Sequence, residues 1–152
     1  MDMQTFTDNY IKNMRAARMI DSPQLTLGQL TERVESILEQ WKASGEGDEP
    51  CVYFDFGSLV PTNFDSWRGS YAELALGYAL DDDKEGPTLS DFLKLCKETD
   101  GATFGGWKGG DYTMNKNTPV WVANQGHSGD TGIVEVLDDG WRVILATSVC
   151  EY

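Results

Sequence analysis

Basic residues are scarce in this chain of 152 residues. Twelve lysines and arginines stand against 25 aspartates and glutamates, which gives a formal net charge of −13. A surface with this excess of carboxylates repels nucleic-acid phosphates, so we expect no direct nucleic-acid binding. The same charge favours solubility and rapid, salt-sensitive association with basic protein surfaces.

Cysteine and histidine are also rare, which excludes several kinds of site. Cys51, Cys96 and Cys150 are an odd number without Cys-x-x-Cys spacing, so we expect neither a disulfide framework nor a zinc site. The one histidine, His127, lies in a turn, and no Ser-His-acid order or metal spacing accompanies it. The sequence therefore predicts no catalytic residue, no metal, no cofactor and no enzyme.

Long apolar runs are missing from the sequence. No stretch approaches the length of a membrane-spanning helix, and the first residues lack both the basic and the apolar region of a secretory signal. We expect a cytoplasmic protein without a membrane partner.

What the chain does contain is a series of helix and strand patterns. Residues 5–20 have helical spacing, and Asp21-Ser22-Pro23 breaks the pattern. We predict an N-terminal helical arm over residues 1–21 and a single domain over residues 22–152. In the arm, Tyr10, Met14 and Ala17 share one apolar face with either Ile20 or Ile11. Lys12, Arg15 and Arg18 hold most of the local positive charge.

Further helices and strands follow within the domain. Thr26 and Thr88 are predicted to cap helices, and residues 72–80 are predicted to form another short helix. Strands are predicted at residues 51–56, 119–124, 132–137 and 141–149, with a hairpin turn at Asp139-Gly140 that buries Val134, Val136, Val143 and Leu145. The expected fold class is α+β, with an antiparallel sheet of about four strands packed with helices.

Two glycine-containing stretches combine aromatic and basic residues. Gly105-Gly106 and Gly109-Gly110 flank Trp107-Lys108, and the second stretch contains Trp67-Arg68-Gly69. Arginine offers a planar fork for phosphate or carboxylate, and aromatic rings offer stacking faces. If the stretches face each other, they form one cleft for a nucleotide or a protein partner, with seven site residues: Trp67, Arg68, Tyr71, Trp107, Lys108, Asp111 and Tyr112. The alternative is that the aromatic residues fill the core and Arg68 pairs with a carboxylate.

Five segments of the chain resemble a group of small uncharacterised accessory proteins of tailed phages. They are SPQLTLGQL, YFDFG, SWRGSYAELAL, KGGDYTM and TPVWVAN, at residues 22–30, 53–57, 66–76, 108–114 and 118–124. The resemblance implies a phage origin and an accessory role in the infected host, such as blocking a defence or redirecting a host enzyme. It implies no particular activity.

These observations give one main hypothesis and two alternatives. The main one is an acidic counter-defence protein that inhibits a host protein. If that host protein binds nucleic acid, the carboxylates of Asp81, Asp82 and Asp83 would occupy its nucleic-acid-binding surface. The first alternative is a binder that sequesters a nucleotide-type signal in the Trp/Arg/Lys cleft. The second, less favoured, is a hydrolase in which Asp55 pairs with Asp65 or Glu73, or Asp111 pairs with Asp130.

Overall fold

The computed structural model describes residues 24–45, 47–67, 70–80, 86–105, 110–123 and 131–150, so the predicted arm lies outside the described residues. Within them the chain is mostly β, with two helices, a six-stranded sheet and a separate two-stranded ribbon. The helices are α1 (Leu27–Ser44) and α2 (Leu89–Thr99). The strands are β1 (Cys51–Phe54), β2 (Leu59–Trp67), β3 (Ser70–Leu80), β4 (Thr103–Gly105), β5 (Asp111–Thr113), β6 (Val120–Val122), β7 (Thr131–Asp138) and β8 (Arg142–Val149).

Both helices begin at the threonines that the sequence predicts as caps. Thr26 Oγ1 accepts a hydrogen bond from the Gln29 amide at 3.3 Å, and Gln29 Oε1 accepts one from the Thr26 amide at 3.0 Å. Thr88 Oγ1 accepts from the Asp91 amide at 3.2 Å. These bonds satisfy amides that the first turn of a helix leaves unpaired. The two capped helices are confirmed.

The sheet is mixed, with its strands in the order β1-β8-β7-β6-β3-β2. β1 runs parallel to β8 and β3 runs parallel to β6, while the other three pairings are antiparallel. The predicted α+β fold with an antiparallel sheet of about four strands is therefore wrong. Neighbours in this sheet are often distant in the sequence, and short-range patterns do not show which distant strands pair.

Strand β3 occupies the segment that was predicted to be a helix at residues 72–80. Its alanines, leucines and Glu73 favour a helix in isolation, but the segment pairs with β2 on one side and with β6 on the other. Leu74 and Leu76 join the main core, while Ala75 belongs to a different buried cluster. This alternation is the period of a strand, so tertiary pairing overrides helix propensity here.

Strand β2 was missed because a proline and polar residues interrupt its pattern. The strand lies at one end of the order in the sheet, where a proline is tolerated. Its register with β3 shifts between Pro61 and Phe64 and again between Ser66 and Trp67. The irregular sequence is thus accommodated by two local irregularities in one long strand.

The hairpin predicted at Asp139-Gly140 is confirmed. It joins β7 to β8, and Gly140 has a φ of 98°, which glycine adopts without strain. The Asp139 carboxylate accepts hydrogen bonds from the Arg142 amide at 3.0 Å and from Arg142 Nε at 3.1 Å. The four residues predicted to be buried on these strands are all buried: Val134, Val136, Val143 and Leu145.

One face of the sheet, called here the inner face, packs against both helices. The helices contribute eight buried residues to a core shared with all six strands of the sheet: Leu27, Leu30, Val34, Leu38, Leu89, Phe92, Leu93 and Cys96. Burying side chains of this size supplies on the order of 1.5–3 kcal/mol each before the entropy cost of ordering them. The inner core is therefore the main source of stability among the described residues.

The sheet nearly closes into a barrel at Gly86. The two end strands, β1 and β2, lie close to each other, and the Val52 amide donates to the Pro87 carbonyl oxygen at 2.9 Å. A Cβ atom at Gly86 would lie 2.9 Å from the Val52 carbonyl oxygen and 3.1 Å from Val60 Cγ1. Glycine at this position thus lets the segment before α2 fit between the two strands.

Replacing Gly86 with alanine should destabilise the fold. Because the added methyl group meets backbone as well as a side chain, we expect a loss of about 1–3 kcal/mol in the free energy of unfolding, measured by urea denaturation. Gly105→Ala is the matched control, since its Cβ would have only Asp111 Oδ1 nearby, at 3.9 Å. Equal effects of the two substitutions would contradict the closure at Gly86.

Candidate functional site

The seven predicted site residues divide into those that the structure describes and those that it does not. Arg68, Trp107 and Lys108 lie outside the described residues, as do the acidic residues 81–83, His127 and Asp130. Tyr71 lies in strand β3. The geometry below therefore concerns the remaining three: Trp67, Asp111 and Tyr112.

Trp67 is packed inside the structure. Its ring stacks on that of Trp121 with centroids 4.0 Å apart and planes inclined by 7°. Trp67 is 2% exposed and Trp121 is 1% exposed, and Trp121 Nε1 donates to Glu73 Oε1 at 3.0 Å. A ligand cannot stack on Trp67 without displacing Trp121. At this position the structure agrees with the alternative that an aromatic residue of the pattern fills the core.

Asp111 and Tyr112 lie on the two-stranded ribbon formed by β4 and β5. All three residues of β5 are exposed, and Tyr112 retains 37% of its accessible surface. Thr103 and Thr113 face each other across the ribbon with their hydroxyl oxygens 3.0 Å apart. This part of the predicted site is exposed at the surface.

The base of the ribbon is fixed to the body of the protein. Met114, directly after β5, is fully buried in the inner core, and Phe104 of β4 packs against that core. The Met114 amide donates to the Ala102 carbonyl at 2.8 Å, and the Gly101 amide donates to the Met114 carbonyl at 2.8 Å. The exposed residues of β5 are therefore held by a buried anchor.

Gly110 explains part of the glycine content of this stretch. A Cβ atom at this position would lie 3.2 Å from both Cε2 and the hydroxyl oxygen of Tyr112. The Tyr112 ring therefore lies closer to the Gly110 backbone than a side chain at position 110 would readily allow. Gly110 is therefore a position of close approach between a side chain and the backbone.

The two stretches predicted to form a cleft are neighbours in the fold. Strand β4 contacts β2, and β5 contacts β3. However, Trp67 is buried in the sheet whereas Tyr112 is exposed on the ribbon. The complete seven-residue site remains a prediction, because three of its members lie outside the described residues.

A groove that the sequence analysis missed lies beside the two helices. Its volume is about 340 Å³, and it is lined by Leu27, Gly28, Thr31, Glu32, Glu35, Lys97, Asp100 and Lys116. Lys97 Nζ lies 3.0 Å from Glu35 Oε2, so part of its charge is paired within the groove. No sequence signal links these residues, because α1, α2 and the turn at Lys116 come together only in the fold.

The carboxylates considered for hydrolysis are engaged with different residues. Asp55 accepts hydrogen bonds from the Thr147 amide at 2.8 Å and from Thr147 Oγ1 at 2.7 Å. Glu73 accepts from Trp121, as described above, and Asp65 is exposed on β2. Among the described residues no group of three or more histidine, cysteine, aspartate or glutamate side chains is arranged to hold a metal ion.

Cys51, Cys96 and Cys150 carry reduced thiols. Burial raises the pKa of Cys96 to about 12. Burial also raises the pKa of Cys150, which is partly exposed. Because the thiolate is the reactive form, these shifts disfavour a nucleophilic role for Cys96 and Cys150.

Comparisons with protein-family models, with curated proteins and with solved structures find no match to this chain. Neither described helix combines the length and the apolar character needed to span a membrane.

The burial of Trp67 predicts that its removal harms stability. Trp67→Ala should lower the free energy of unfolding by about 3–5 kcal/mol, because it leaves a cavity against Trp121. Trp141→Ala is the matched control, since Trp141 is 47% exposed and contacts the Arg142 guanidinium 4.6 Å from its ring centroid. Its loss should cost about 1 kcal/mol or less. Similar losses in urea denaturation would mean that Trp67 is not a core residue.

Proposed function

We propose that this chain is a phage-encoded acidic protein that binds and inhibits a host protein in the cytoplasm of the infected cell. The observation that supports this most is the exposed ribbon, which presents Asp111 and Tyr112 at the surface. The phage origin is supported by the sequence resemblance alone. Inhibition is proposed because the described residues offer a binding surface but no assembled catalytic group.

The shape of the ribbon favours a protein partner over a small molecule. Small ligands usually bind in concave pockets that cover most of their surface. An exposed tyrosine on an anchored strand can instead insert into a depression of another protein, and tyrosine and tryptophan are common at such contacts. The nucleotide-binding alternative has less support, because Trp67 has no open face.

The anchoring of the ribbon lowers the entropic cost of binding. Met114 and Phe104 already hold β4 and β5 against the core, so little backbone order has to be gained when a partner binds. The net charge of −13 then acts over a longer range and accelerates encounter with a basic partner surface. Surfaces that bind nucleic acid are basic, so an acidic chain of this kind would be attracted to them and would block them.

Site-specific photo-crosslinking in host-cell lysate would test the proposal. A photoreactive phenylalanine analogue in place of Tyr112 should attach to a host protein that is not captured by the same analogue in place of Trp141. Trp141 is the control because it is more exposed than Tyr112, at 47% against 37%, and lies in the turn between β7 and β8. Equal capture from both positions, or none from position 112, would contradict the ribbon as the contact surface.

Affinity and rate measurements with the captured partner would then distinguish residues that contact the partner directly from residues that only attract it electrostatically. Tyr112→Ala should weaken binding by about 1–3 kcal/mol, which corresponds to roughly 5- to 150-fold in Kd. Asp111→Asn should mainly slow association at low salt, whereas Glu39→Gln, at an exposed position of α1, should change the rate less. Unchanged affinity in Tyr112→Ala with an intact fold would remove the ribbon from the interface.

A further inference from the structure

The two end strands of the sheet differ in how their outer edges are covered. At β1 the Val52 amide donates to the Pro87 carbonyl oxygen at 2.9 Å and Cys51 pairs with Thr88, so the segment before α2 closes that edge. Strand β2 ends the order of the sheet on the other side, and among the described strands only β3 is hydrogen-bonded to it. The ribbon contacts β2 through β4 without joining its ladder. A strand added to this sheet would therefore pair with β2.

The hydrogen bonds of β3 show which main-chain groups of β2 point to the outer edge. The Leu74 amide donates to the Pro119 carbonyl oxygen at 3.1 Å, and the Leu76 carbonyl oxygen accepts from the Ala123 amide at 2.9 Å. The main-chain groups of these two leucines therefore face β6. Because such groups alternate between the two edges of a strand, those of Ala75, between the leucines, face β2.

Phe64 and Ser66 of β2 pair with the two leucines. Since the leucines turn their main-chain groups towards β6, the N–H and C=O groups of Phe64 and Ser66 point away from β3, to the outer edge. Asp65 lies between them, is exposed and pairs with Ala75. Two residues of β2 thus direct backbone donors and acceptors to the outer edge, where the edge of an antiparallel sheet accepts a further strand.

The Asp65 carboxylate occupies one of these outward-pointing donors. Its Oδ1 accepts a hydrogen bond from the Ser66 amide at 2.8 Å. An added strand would have to break this bond before it could pair with Ser66, and a bond exchanged in this way gives no net gain. The register also shifts between Pro61 and Phe64 and between Ser66 and Trp67, which leaves only a short regular stretch around Asp65.

A second copy of this chain is the strand donor that the arrangement excludes most directly. An antiparallel pair of two β2 strands centred on Asp65 would place Phe64 of each copy opposite Ser66 of the other. Both of these hydrogen-bonded pairs need the Ser66 amide, which the carboxylate already holds. The two Asp65 side chains would also face each other at the centre, and like charges directly opposite across two strands destabilise the pairing.

We propose that Asp65 prevents β2 from pairing with the same strand of a second copy, chiefly by holding the Ser66 amide. The chain then remains a monomer even though β2 ends the order of the sheet. This inference is independent of the proposed function, because it concerns β2 rather than the ribbon.

Sedimentation equilibrium of three variants tests the proposal. Asp65→Val removes the acceptor and the charge, Asp65→Asn keeps an oxygen that can accept from the Ser66 amide, and Glu39→Val removes a carboxylate at an exposed position of α1. We expect Asp65→Val to dimerise with a Kd about tenfold lower than that of the other two, which corresponds to about 1.4 kcal/mol. Equal dimerisation of all three variants, equal dimerisation of the two Asp65 variants, or an Asp65→Val variant that stays monomeric would overturn the proposal.

Amide hydrogen exchange in Asp65→Val locates the contact between copies. The amides of Phe64 and Ser66 should exchange more slowly as the protein concentration rises, because they become bonded to the second copy. The amide of Tyr112, on the ribbon, should exchange at the same rate at every concentration. Concentration-dependent protection of the ribbon without protection of Phe64 and Ser66 would overturn the proposal.

The unmutated chain gives a test that does not depend on how a variant folds. In about 1 M salt, charges are screened over about 3 Å, so repulsion between two copies is largely removed. The hydrogen bond from the Ser66 amide to Asp65 persists, and we expect the chain to remain a monomer. Dimerisation of the unmutated chain in salt, with slower exchange of the Phe64 and Ser66 amides, would overturn the proposal.

Discussion

Burial of strand β8 on both faces is the constraint on which the rest of the structure depends. Val143 and Leu145 face the inner core, Ile144 and Ala146 face the outer side, and all four are at most 2% exposed. A strand of this kind needs a partner on each edge and a cover on each face. β1 and β7 supply the edges, and the helices cover the inner face.

This arrangement separates aromatic residues that stabilise the fold from those that remain available for contact. Trp67 and Trp121 stack inside the structure, in a buried cluster separate from the main core. Tyr112 lies on a ribbon whose base is buried through Met114. A rigid body with an anchored, exposed ribbon can bind a partner without reorganising its core, and this physical property supports the proposed inhibitor function.

The sequence predicted the helix caps and the hairpin turn, but not the pairing of distant strands, which also turned the predicted helix at residues 72–80 into a strand. The caps at Thr26 and Thr88 and the turn at Asp139-Gly140 depend on neighbouring residues, so short patterns reveal them. The parallel pairing of β1 with β8 depends on residues far apart in the chain, and no periodicity encodes it. The same limit applies to the candidate site. A tryptophan close to a glycine, such as Trp67, is compatible with a binding loop or with a buried stack, and only its stacking on Trp121 in the fold decides between these two possibilities.

Hydroxyl-radical footprinting of the free protein, read by mass spectrometry, tests the division of the aromatic residues most directly. Tyr112 and Trp141 should be oxidised at early exposure times, because they are 37% and 47% exposed. Trp67 and Trp121 should remain unmodified until the protein unfolds. Oxidation of Trp67 at the rate of Trp141 under native conditions would contradict the account, since it would show that the stacked pair is open to solvent.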